Sequence, residues 1–155
     1  MSSPITAADP DYEKRVRDSF SRQPAMGLIG ARISHIAPGA IDLELPHRDD
    51  LTQQHGFLHG GIVSMIADTA GGYAGYTLFP ADASVLTVEY KLNLLAPGQG
   101  ETYLAEGRVV KAGRTLCVTI GEVYAIHDGK RVLCALMQQT LVVMHGRADH
   151  RSGKP

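Results

Sequence analysis

QQHGFLHGGIVSMIADTAGG, Gln53 to Gly72, is the stretch on which the reading of this chain turns. From Gly60 to Leu78 the residues are apolar or small almost without interruption, enough for one helix of about five turns. A helix apolar on nearly every side has to be covered on nearly every side. It therefore belongs at the centre of the molecule, wrapped by a strongly curved sheet and covered again by another chain. Its length would also let it span a bilayer. Asp68 at its middle, among alanines and glycines, fits burial in protein instead, and no membrane partner is expected.

Upstream, Asp9 to Ser21 predicts an amphipathic helix: Asp9 suits an N-cap, Pro10 the first turn, and Tyr12, Val16 and Phe20 share one face. Pro24 is expected to stop it. Two short strands follow, Ala31 to Ala37 and Ala40 to Leu45, around the turn Pro38-Gly39, and then a polar loop from Pro46 to Leu58. Downstream lie four longer strand candidates: Ser84 to Leu95, Thr102 to Lys111, Thr115 to His127 and Arg131 to Met144. The separators Pro97-Gly98, Ala112-Gly113 and Asp128-Gly129 are short and turn-forming, so these strands are expected to pair antiparallel. One long helix against five or six strands is an α+β architecture. The expected organisation is an N-terminal helical segment over 1–26, one domain over 27–145 and a polar, disordered tail over 146–155.

At 155 residues, with 44% hydrophobic and 20% charged, the chain has the profile of a soluble globular protein with a full core. A net charge of −1 gives no reason to expect nucleic acid as a partner. Cys117 and Cys134 fall in strand candidates, far apart, and read as core residues of a protein in the reducing cytoplasm. The seven histidines are scattered without ligand spacing, so no metal is expected. No G-x-S-x-G elbow is present, which removes a serine esterase of that type.

Two features bear on chemistry. His59-Gly60-Gly61 opens the central helix, where free N–H groups and the positive end of the dipole can polarise a carbonyl. The same glycines could simply make a tight loop-to-helix turn. Asp68 is a carboxylate in an apolar helix, a placement that favours either a general base or a structural hydrogen-bond acceptor. The two features lie eight residues apart, about 12 Å along one axis. A base must come within about 3 Å of the atom it serves. Both can act on one substrate only if the Asp comes from a second, antiparallel copy of the helix across a two-fold axis, which predicts a homodimer with two equivalent sites.

From Gln53 through His59-Gly60-Gly61 to Ala67-Asp68, then LTVEYKLNLLAPG (Leu86 to Gly98) and VVKAGRTL (Val109 to Leu116), the chain resembles the hotdog-fold thioesterases. Within them it is similar to the group of the phenylacetic-acid-pathway thioesterase and human thioesterase superfamily member 2. The resemblance implies a curved antiparallel sheet around a long helix, a homodimer or homotetramer, and hydrolysis of an acyl-CoA, with CoA as part of the substrate and no separate cofactor. It further implies that Asp68 is the catalytic base or nucleophile. Gly60 and Gly61 then polarise the thioester carbonyl, His59 orders the turn, and Thr87 stands where a serine often holds the water. Gln53 replaces an asparagine near the carbonyl, keeping the amide donor but adding a methylene. For the CoA phosphates the resemblance points to Arg114 in the Gly113–Thr115 turn, and less directly to Lys91 and Lys111.

Two other classes stay in view. A hotdog dehydratase or hydratase needs a second proton-shuttling group, whereas His59 precedes the helix and no other acid lies within it. A non-catalytic acyl-CoA binder would use the same pocket but has no need of Asp68. His55 reads as a loop residue, and Phe57, Leu58, Met65 and Tyr73 as core residues or the lining of an acyl tunnel.

Overall fold

A computed structural model describes residues 5–147 and 149. It contains α1 (Tyr12–Ser21), α2 (Pro24–Ile29), β1 (Arg32–Ala37), β2 (Ala40–Pro46), a single 3₁₀ turn (Asp49–Leu51), α3 (Gly60–Tyr76), β3 (Ser84–Leu94), β4 (Thr102–Ala112), β5 (Leu116–His127) and β6 (Lys130–Met144). All six strands form one antiparallel sheet in the order β1-β2-β4-β5-β6-β3, wrapped around α3. This is the expected α+β, hotdog-type arrangement. No helix among the described residues is long and apolar enough to cross a membrane.

The strands follow from period-2 patterning. In β2, in β4 as far as Gly107 and in β5 every second residue is buried, and those residues face α3. The hairpins at 38–39 and 128–129 form because Gly39, Asp128 and Gly129 take the positive φ that a tight turn needs (76°, 48° and 72°). Cys117 and Cys134 are buried in strands of the core.

The helix seat is unusually close. Gly107 and Gly121 are cross-strand partners in β4 and β5. A Cβ on Gly107 would stand 2.2 Å from the Ala70 carbonyl oxygen, and one on Gly121 would stand 2.9 Å from that of Ala67. Glycine inside a strand often marks such a backbone approach.

Four expectations are corrected. The first helix begins at Tyr12, because Asp9 caps the preceding turn: its carboxylate accepts from the Asp11 N–H (2.9 Å) and from Arg15 Nε (2.8 Å). Pro24 starts a second helix instead of only ending the first, since proline fits the first helical position. The boundary at 26/27 therefore cuts α2, whose Met26 and Ile29 both lie in the core. Pro97-Gly98 is not a hairpin. β3 runs at the sheet edge beside β6, and the chain then crosses past the loop before α3, where the Gly98 carbonyl accepts from the Leu58 N–H (2.8 Å) and Tyr103 OH (3.1 Å). Of the expected tail, Gly146, Arg147 and Asp149 are described, and Asp149 pairs with Arg22 at 2.9 Å. The rest lies outside the described residues.

Two predictions follow from this packing. Gly107→Ala forces backbone apart from backbone and should cost about 2–3 kcal/mol, a drop in Tm of roughly 5–10 °C by thermal unfolding. An unchanged Tm would mean that α3 is not seated on this strand. Burial pushes the Cys117 thiol up to about 11. Between the ordinary thiol value of 9.0 and about 11 the unfolded chain gives up this proton while the native state keeps it. Native stability should fall as pH rises through that window, and less steeply in Cys117→Ala, as urea titrations at stepped pH would report.

Candidate active site

Asp68 lies two turns into α3, half-buried, on the flank that faces β3 and β6. Its Oδ1 accepts from Thr87 Oγ1 at 2.7 Å and from Gln139 Nε2 at 2.8 Å. Thr87 sits at a β-bulge, where the β3–β6 register shifts between Thr87 and Glu89. A bulge of this kind re-aims a side chain. No hydrogen bond reaches Asp68 Oδ2 among the described residues. One oxygen is held by two donors and the other is left to the pocket.

That pocket has a volume of about 460 Å³. Met65, Asp68, Thr69, Gly72 and Tyr73 line it from α3, and the i, i+3, i+4, i+7, i+8 spacing places them on one helix face. Val85, Leu86 and Thr87 of β3 form a second wall, and Ser19, Gln23 and Met26 of the N-terminal helices form a third. Its far end is polar: Ser19 Oγ and Tyr73 OH share a hydrogen bond of 2.9 Å, and Gln23 Nε2 donates to the same Tyr73 oxygen at 3.1 Å. Burial raises the Tyr73 phenol above its ordinary range, so it stays a neutral hydrogen-bonding group.

The helix start opens elsewhere. Gly60 and Gln53 share a pocket of about 390 Å³ with Phe57, Leu58, Leu94 and Leu95. His59 caps α3, its Nδ1 accepting from the Gly61 N–H at 2.8 Å, which leaves the ring proton of the neutral imidazole on Nε2. The two glycine N–H groups thus differ. That of Gly61 is engaged by His59, and that of Gly60 has no hydrogen bond among the described residues. The Gln53 side-chain oxygen accepts from the His55 N–H, so His55 serves the loop. Within one chain, then, Asp68 and Thr87 come together, Gln53 and Gly60 come together, and the two pairs do not meet.

The CoA candidates lie on the outside. Gly113 closes the β4–β5 turn, donating its N–H to the Leu116 carbonyl at 2.8 Å. The Arg114 side chain is exposed and makes no ion pair among the described residues, while its carbonyl accepts from His145 Nε2 at 2.8 Å. Lys91 is exposed on β3, five residues beyond Leu86, whose register position is level with Leu116. That is about 17 Å along the strand, so Lys91 and Arg114 do not form one patch. Lys111 is exposed at the end of β4. A cluster of Glu101, His127 and Asp128 has metal-like spacing, but all three are exposed and none lines the Asp68 pocket.

Gln139 is the functional-site residue that sequence reasoning missed. It is fully buried on the inward face of β6, between Met137 and Leu141. A polar residue in that alternating apolar stripe was the available signal. Met65 and Tyr73, read as core or tunnel, line the Asp68 pocket, whereas Phe57 and Leu58 line the pocket at the helix start.

The thioesterase superfamily model matches residues 55–132, half of the chain. A thioesterase family protein from Silicibacter pomeroyi is 49% identical, with a TM-score of 0.86 over 87% of this chain and 99% of that one. PaaI of the Escherichia coli phenylacetic acid degradation operon is 18% identical, with a TM-score of 0.77 over 88% of this chain and 95% of that one, and so shares the fold. The 1,4-dihydroxy-2-naphthoyl-CoA hydrolase of E. coli is 28% identical over 68 residues, 44% of this chain and 50% of that protein. With an Asp-bearing central helix inside a six-stranded wrap, the chain belongs to the thioesterase superfamily and is a thioester hydrolase of the hotdog fold.

Proposed function

We propose that the protein hydrolyses acyl-CoA thioesters as a homodimer, each active site joining Asp68 and Thr87 of one protomer to Gly60 and Gln53 of the other. The observation that carries this reading is the division of the site: the carboxylate and the open helix-start N–H face different pockets of the same chain. The sheet edge supports it. β3 presents Leu86, Val88 and Tyr90 at 56%, 56% and 47% exposure on an unpaired edge strand, a surface that soluble monomers avoid. A second copy laid on this edge covers those residues.

In this reading the acyl group enters the 460 Å³ pocket with its thioester carbonyl at the mouth. The Gly60 N–H, at the positive end of the helix dipole, stabilises the oxyanion. The free Oδ2 of Asp68 takes a proton from water as the water oxygen attacks the carbonyl carbon. Collapse of the tetrahedral species breaks the C–S bond, and the thiolate of CoA leaves and takes up a proton. The exposed Arg114 binds the CoA phosphates. Neither alternative class is favoured by a specific observation: among the described residues no histidine lines the Asp68 pocket for a hydratase, and a passive binder has no use for an oriented carboxylate.

Four outcomes test the reading. Asp68→Asn should lower kcat for CoA thiol release by about 10²–10⁴-fold, whereas full activity in the variant would reduce Asp68 to a structural residue. Absence of turnover on any acyl-CoA, with tight binding retained, would favour the binder. Gly60→Pro removes the open N–H at a position that suits proline, and His59 before it is already extended (φ −60°, ψ 135°). Neither Gly60→Pro nor Asp68→Asn should be active alone, yet reassembly of an equal mixture should recover about a quarter of wild-type activity through heterodimers with one intact site. A mixture that stays inactive would place both halves of the site in one protomer. Arg114→Ala should raise KM for CoA esters several-fold and leave KM for thioesters without the nucleotide unchanged; an equal effect on both would remove Arg114 from the CoA site.

A further inference from the structure

We propose that Gln139 is a positioning residue for catalysis, locking Asp68 at a cost to the stability of the fold; this rests on the reading of Asp68 as the catalytic carboxylate. Gln139 is fully buried on β6, in line with Met137 and Leu141. Its Nε2 donates to Asp68 Oδ1 at 2.8 Å and lies 3.3 Å from both Thr87 Oγ1 and the Asp68 backbone carbonyl. The amide is oriented by its neighbour: an ionised carboxylate only accepts, so the NH₂ group must face it.

The other end of the same amide is left unpaired. Gln139 Oε1 is buried without a partner among the described residues, and so is Thr119 Oγ1 on the neighbouring strand β5. Both oxygens press on α3 at Gly71, where a Cβ would stand 1.9 Å from Gln139 Oε1 and 2.8 Å from Thr119 Oγ1. Gly71 is thus the slot that admits the amide beneath the helix.

Judged by stability alone, this is the wrong side chain. A methionine of similar length would fill the same space in an apolar stripe without burying an unsatisfied acceptor. What the glutamine supplies is a second fixed donor to Oδ1, next to the Thr87 hydroxyl and 3.3 Å from it. Together they fix Oδ1 and leave Oδ2 as the carboxylate oxygen without a donor among the described residues. Buried polar groups that weaken a core are expected where a site must be held in one geometry.

The test uses the full-length protein and the acyl-CoA that wild type turns over best. Gln139→Met should lower kcat about tenfold to a hundredfold, the size expected from a misplaced reacting group, with KM within about twofold and Tm equal to or above wild type. In an Asp68→Asn background the same change should leave the residual rate within about twofold, because a residue acting through Asp68 has nothing left to orient. If Gln139→Met does not fold, Gln139→Leu carries the same readouts. Unchanged kcat, or a fall in Tm with equal rate losses in both backgrounds, would overturn the proposal and leave Gln139 a structural residue. A wild type without activity on any acyl-CoA would overturn the thioesterase reading itself, and this inference with it. An active wild type with an indifferent Gln139→Met would overturn only the inference.

Discussion

The close seating of α3 on the paired glycines of β4 and β5 is the constraint on which the rest of the molecule depends. Because Gly107 and Gly121 carry no side chains, the helix backbone at Ala67 and Ala70 can lie almost on the sheet. That depth sets where the next residues fall. Gly71 leaves a gap over β5 and β6 that an amide fills, and Asp68 emerges on the flank toward β3 at hydrogen-bond distance from both Thr87 and Gln139. A helix riding higher, on alanine or valine, would carry the carboxylate away from both donors. At Tyr73 and Tyr76, α3 is covered by Arg15, Ser19 and Phe20 of α1.

That cover is pinned by a cation. Arg15 of α1 is held by Asp9 and donates to the carbonyl of Phe79 at 2.8 Å and, more weakly, to that of Tyr76 at 3.4 Å. Its guanidinium lies 4.3 Å from the centre of the Tyr76 ring. The positive charge thus meets the negative end of the α3 dipole while stacking on an aromatic face. Fixing α1 this way brings Ser19 and Gln23 against Tyr73 and closes the pocket at the end away from the sheet edge. The segment before residue 30 therefore lines the candidate pocket, although it precedes the stretch matched by the family model.

Much of this was legible in the sequence, and the failures are local rules applied where a tertiary contact decides. Asp68 stood out because a charge in an apolar run has few explanations. The strands and the turn at Asp128-Gly129 followed from alternation and from residues that accept positive φ. Pro24 was read as a stop because a proline ends one helix as readily as it opens the next, and only packing of Met26 and Ile29 distinguishes the two. Pro97-Gly98 looked like a hairpin because strand order is not encoded in a turn: β3 finds β6 at the far edge, more than forty residues on. Gln139 was hidden by its neighbour. In Met137-Gln138-Gln139-Thr140-Leu141 the face of each glutamine depends on strand phase, and a shift of one residue would have turned Gln138 inward.

The division of the site follows from the same depth of packing. Asp68 lies on the flank of α3 that faces β3 and β6, where its pocket is walled by Val85, Leu86 and Thr87 of β3 and by Ser19, Gln23 and Met26. Asp68 Oδ2 has no donor among the described residues, and the exposed Leu86 of β3 lines the same pocket. Any group meant to polarise a carbonyl at Oδ2 must arrive across that flank, since the chain's own donors point inward at Oδ1 or lie about two turns away at the helix start. In the proposed homodimer, a second copy docked along β3 with its helix antiparallel would bring a Gly60 N–H to that position and bury Leu86 and Val88. In that proposed arrangement one contact would both complete the site and protect the edge strand, joining the protomer's surface to its chemistry.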